Sequence, residues 1–131
     1  MIQLSEYFLD HNHTEEHKKN AEELLRRVNA LLSAFVADGG VLNKNPYLKS
    51  YISGEKYGGF RPFDCPIGAP KSAHKLGMAV DIYDKGNQLD SWLTDLVLLK
   101  FDLYREAPEK TPNWSHLSIK APGSGKRTFY P

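Results

Sequence analysis

Three residues of this chain have side chains suited to holding a divalent metal together: His74, Asp81 and, farther along, His116. Two imidazoles and one carboxylate make a zinc-type donor set that leaves a fourth position open for water, as in catalytic rather than structural sites. The spacing restricts how they can meet. On a single helix the seven residues from His74 to Asp81 would separate them by about 10.5 Å along the axis, too far for two metal bonds of about 2 Å each. The chain must fold back between them, and Gly77 is where it can, because glycine accepts backbone angles and close approaches that other residues resist. Ser72, just ahead of His74, is suited to orienting the His74 loop or lining the site through its hydroxyl. A nucleophilic role is not needed, since a metal-activated water makes a covalent intermediate unnecessary. A second histidine group, His11, His13 and His17, reads as polar residues around a helix start.

The elements that must carry these residues follow from patterning. From Glu15 to Asp38, Ala21, Leu24, Leu25, Val28, Leu31, Leu32, Phe35 and Val36 recur at helical steps, giving one apolar face. Thr14 is its N-cap, Glu15 and Glu16 lie in its first turn, and Gly39-Gly40 is the stop. Val41 to Pro70 is punctuated by Asn, Pro and Gly, with a short strand expected over Tyr47 to Ser53. Gly77 to Asp84 alternates as a strand, Leu89 to Leu99 is helical, and strands are expected over Phe101 to Glu106 and Trp114 to Ile119. This order predicts an α+β fold: residues 1–131 as a single domain, with a small antiparallel sheet and helices packed on it.

Composition sets outer limits. At 131 residues, with 40% hydrophobic and 25% charged side chains, the chain fits one ordinary globular core. Its 17 basic and 16 acidic residues nearly cancel, so charge offers no argument for nucleic acid or an anionic membrane. A single cysteine, Cys65, excludes an internal disulfide and is expected to be a buried or half-buried thiol. The opening residues lack a secretory signal, and no stretch reaches the roughly 20 apolar residues of a membrane span. The expectation is a protein made in the cytoplasm; a substrate in the cell wall or periplasm would require delivery.

The stretch Ser72-x-His74-x-x-Gly77-x-Ala79-x-Asp81 resembles the metal-binding signature of the VanY-type D-alanyl-D-alanine carboxypeptidases and the phage L-alanyl-D-glutamate endopeptidases, which share a zinc fold with the hedgehog signalling domain. Gly59-Phe60-Arg61 looks like that family's Gly-Tyr-Arg element, and Trp114-Ser115-His116-Leu117 like its closing Trp-x-His. The likeness covers about residues 50 to 131, and the tail Ser124 to Pro131 resembles the ending of small phage and prophage members. The resemblance implies zinc on His74, Asp81 and His116, Arg61 as the contact for a substrate carboxylate or oxyanion, and peptidoglycan peptides as substrate. One departure stands out. Many members carry an acidic general base three residues before the last histidine, where this chain has Asn113, and an amide cannot take the proton. Glu106 and Glu109 are the candidate replacements. Without a base, the alternative is a zinc-binding module of a phage virion or assembly protein that grips peptidoglycan or a protein partner.

Overall fold

The computed structural model describes every residue except Pro70. Two helices open the chain: α1, Leu4–Phe8, and α2, Glu15–Ala37. Helix α2 begins where its cap requires. The Thr14 hydroxyl accepts from the His17 amide at 3.1 Å and His17 Nδ1 accepts from the Thr14 amide at 3.2 Å, a reciprocal box with imidazole where glutamate is usual. Leu24, Val28, Leu31 and Leu32 are fully buried along its apolar face.

Four strands follow: β1, Ala79–Tyr83; β2, Tyr104–Glu106; β3, Trp114–Ser118; and β4, Thr128–Phe129. They form one sheet in the order β1-β3-β2-β4. The first three are antiparallel, but β4 runs parallel to β2, so the sheet is mixed rather than wholly antiparallel as expected. Alternation divides its faces. Val80, Ile82 and Leu117 join the α2 residues in the core, while Asp81 and His116 lie on the opposite face. The fold is α+β, a helical layer on one side of a small sheet.

The structure departs from the sequence expectation in three further places. Tyr47 to Ser53 forms isolated bridges, Asn45 with Ser50 and Ile52 with Ile82, instead of a strand. Asn45 turns the chain there: its side chain accepts from the Tyr47 amide at 3.0 Å and donates to the Ile52 carbonyl at 3.1 Å. The helix expected over Leu89 to Leu99 is two helices, α3, Gln88–Trp92, and α4, Asp95–Phe101, because Leu93 is extended and the Thr94 hydroxyl caps a fresh start by accepting from Val97. Phe101 therefore ends a helix, and the strand expected from Phe101 begins only at Tyr104, after Asp102 turns through φ 53°.

Asp84 organises α3 from outside it: its two carboxylate oxygens accept from the Leu89 amide at 2.8 Å and the Asp90 amide at 3.0 Å. Asp90 is itself buried and accepts from the Ser115 hydroxyl at 2.8 Å, which ties α3 to β3.

Candidate metal centre

The register of the sheet assembles the site. Asp81 on β1 lies directly across from His116 on β3. Tyr104 and Arg105 pair with Ser118 and Leu117, so the next step of β2 sets Glu106 beside His116, and Glu106 in turn pairs with Phe129 on β4. Directly paired residues share a face. One transverse row, Asp81, His116, Glu106 and Phe129, therefore crosses all four strands on the side away from the helices.

His74 reaches this row from a short 3-10 turn, Ala73–Leu76. The turn ends at Gly77, whose φ of 77° is left-handed and whose missing side chain faces the His17 carbonyl: a Cβ would lie 2.7 Å from that oxygen. This is the fold-back that the seven-residue spacing demands. It brings His74 Nε2 within 3.2 Å of Asp81 Oδ1 and 3.3 Å of His116 Nδ1, and His116 Nδ1 lies 2.9 Å from the same aspartate oxygen.

These three distances test the donor set against a metal. Tetrahedral bonds of about 2.0–2.1 Å put neighbouring donor atoms about 3.3 Å apart, close to the triangle observed. The protonation pattern also fits. His74 Nδ1 is 2.8 Å from the Gly59 carbonyl, which accepts only if that nitrogen carries the hydrogen; a neutral His74 then turns the lone pair of Nε2 toward Asp81. In a site where His74 is 2% exposed, a proton or a metal cation between the two groups would satisfy both. Among the described residues this is the only group of three or more histidine, cysteine or acidic side chains close enough to share one. Burial pushes the Asp81 carboxyl up, but the two imidazoles outweigh it and hold the group below the ordinary carboxylate range.

Around this centre lies a cavity of about 450 Å³, lined among others by Arg61, Ser72, Glu106, Trp114 and Phe129. Arg61 is not a surface ion pair. Its Nε donates to the Tyr57 carbonyl at 2.9 Å and its Nη2 faces Asp81 Oδ2 at 3.4 Å, with only 14% of the side chain exposed. Ser72 opens on the cavity and its hydroxyl caps nothing; a Cβ on Gly68 would lie 3.0 Å from Arg61 Nη1 and 3.3 Å from Ser72 Oγ, so that loop is pressed against both. Burial raises the Glu106 carboxyl above the usual range; His116 partly offsets this and Asp81 adds to it.

The other candidates are engaged elsewhere. Glu109 lies outside the cavity, where the Tyr130 hydroxyl holds its carboxyl down. Asn113 is a turn residue: it adopts φ 67°, its side chain accepts from the Gly86 amide at 3.1 Å and its carbonyl from the Asp84 amide at 2.9 Å. Left-handed backbone suits asparagine better than glutamate. His13 stacks on Phe8 with ring centroids 3.6 Å apart, His11 Nε2 sits 2.9 Å from the Lys56 carbonyl, and His17 caps α2. Cys65 is buried, as expected. Sequence reasoning missed Trp114 and Ser118 as cavity walls, although alternation along Trp114-x-His116-x-Ser118 carries that signal. It also missed Phe129, for which no local pattern exists. Comparison with known protein families, characterised proteins and solved structures gives no match to this chain.

Proposed function

We propose that this chain is a zinc-dependent peptidase acting on peptidoglycan peptides, of the carboxypeptidase and endopeptidase family that its motifs resemble. The observation that carries this reading is the row Asp81, His116, Glu106: two metal donors and a free carboxylate with a raised pKa, side by side in one cavity with Arg61. His74, Asp81 and His116 would hold the ion, which when bound supplies Lewis-acid polarisation and a more acidic water at neutral pH.

The residues of the chain divide the remaining work. Glu106 accepts the proton of the attacking water as its oxygen joins the carbonyl carbon, then returns it to the departing nitrogen as the C–N bond breaks. The products are a carboxylate and an amine. The Arg61 guanidinium stabilises the negative charge that develops on the carbonyl oxygen, or grips a substrate carboxylate. The Gly59 carbonyl fixes the His74 ring, and the Tyr57 carbonyl fixes Arg61.

Glu106→Gln keeps shape and removes the base. It is expected to lower turnover of peptidoglycan-derived peptides by roughly 10²-fold or more with zinc content unchanged, whereas His116→Ala should lose the zinc. Full activity in Glu106→Gln would remove Glu106 from the mechanism. An inactive wild type carrying stoichiometric zinc would favour the binding-module reading.

A further inference from the structure

Tyr7 takes no part in the proposed chemistry, yet it is 1% exposed and touches the backbone behind two of the three metal donors. It belongs to α1, outside the stretch of about residues 50 to 131 that carries the family resemblance. Its first contact is with β1. That strand is an edge of the sheet, so the backbone groups on its outer side need partners from elsewhere. The Asp81 amide donates to the Gly58 carbonyl at 2.7 Å, and the Asp81 carbonyl accepts from the Ser53 amide at 2.8 Å. Two residues earlier stands Ala79, fully buried, and the Tyr7 hydroxyl donates to its carbonyl at 2.8 Å. Tyr7 thus holds the start of the strand that presents Asp81.

Its second contact is with the segment that orients His74. The Tyr7 carbonyl accepts from the Phe60 amide at 3.0 Å, and Gly59 lies so close that a Cβ there would stand 2.5 Å from the same oxygen. The Gly59 carbonyl in turn faces His74 Nδ1 at 2.8 Å. Helix α1 is itself anchored to α2, where the Asn29 side chain accepts from the Ile2 amide at 2.9 Å and donates to the Ile2 carbonyl at 3.1 Å. Groups behind metal ligands set the direction and basicity of those ligands. Without its hydroxyl, Tyr7 would leave the buried Ala79 carbonyl without a donor and the start of β1 free to shift.

We infer that Tyr7 is a positioning residue of the metal centre, holding the backbone of Asp81 and of the His74 partner Gly59 at the separation the ion requires. This rests on the metal-binding part of the reading above and not on hydrolysis. The test is Tyr7→Phe, read by the visible spectrum of the cobalt(II)-loaded protein and by zinc affinity in competition with a chromophoric chelator. The variant should show an altered cobalt spectrum and bind zinc about tenfold more weakly or worse, the scale of losing a group behind a metal ligand. Leu98→Ala, a core change in α4, controls for lost stability alone and should keep the wild-type spectrum and affinity. A Tyr7→Phe protein with the wild-type spectrum and zinc affinity within about threefold of wild type overturns the inference, as does a Leu98→Ala protein altered to the same degree. Should Tyr7→Phe fail to fold, the wild type decides. Zinc should slow hydrogen exchange of the Phe60 amide, which donates to Tyr7, about fivefold or more beyond its effect on the Leu103 amide, which donates to Leu98. Equal slowing of the two overturns the inference. A wild type that takes up neither cobalt nor zinc overturns both the metal centre and the role of Tyr7. Zinc binding that depends on Tyr7 in a protein that hydrolyses nothing supports that role and counts against the hydrolase reading alone.

Discussion

In the proposed mechanism, Glu106 takes the role that an acidic residue ahead of the last histidine would otherwise have, and Asn113 stands in that residue's place. Asn113 takes the left-handed turn that returns the chain into β3, and Glu106 reaches the cavity from the neighbouring strand. The raised pKa of Glu106 has a measurable consequence. A general base works only when ionised, so kcat/KM is expected to fall as pH drops through the Glu106 pKa, which burial raises and a bound cation would lower. Glu106→Gln should remove that acid limb; a limb unchanged in the variant would argue against Glu106. Arg61→Ala is expected to lower kcat/KM by roughly 10²-fold, the scale of losing one transition-state donor, while zinc content holds. Unchanged kinetics would leave Arg61 as only the ion-pair partner of Asp81.

At the scale of elements, the site depends on turns more than on the long helix. Gly77→Ala combines a left-handed φ with a Cβ 2.7 Å from the His17 carbonyl and should cost about 2–4 kcal/mol, measured by chemical denaturation, with weakened zinc binding because His74 shifts. Lys75 is buried beside His74, and its ammonium donates to the Cys65 carbonyl at 2.9 Å. Lys75→Met leaves that carbonyl without its donor and should cost about 1–3 kcal/mol, with faster amide exchange in the loop around Cys65. Lys75, unlike Gly77, does not stand out in the sequence. The three residues of the candidate centre were legible because their types and the glycine between them suggest the chemistry, and α2 was legible because an apolar stripe recurs at helical steps along a helix of 23 residues. The break at Leu93 was not, since the apolar pattern continues through it and only the Thr94 cap reveals a new start. Strand β4 was hidden for a related reason: two residues carry no periodicity, and their pairing with β2 is purely tertiary.

Across the whole molecule, the proposed ion would join the sheet to the turn that bears His74. Binding to the folded state alone raises stability by mass action. Chelation is therefore expected to lower the melting temperature by roughly 10 °C, and His116→Ala should melt at a temperature indifferent to chelator. No helix among the described residues is long and apolar enough to cross a membrane. The row that crosses the sheet also makes the molecule sensitive to odd and even numbers. Strand side chains obey a parity rule, and Glu106 and Arg105 sit on opposite sides of it. One residue inserted between Asp102 and Tyr104 would exchange them, turning a guanidinium toward the cavity and the carboxylate toward Asp90. Zinc would still bind, because β2 supplies none of its ligands, yet hydrolysis would stop. A second inserted residue would restore the side but leave Glu106 two residues, about 6.6 Å, past its place beside His116, so hydrolysis is expected to stay low.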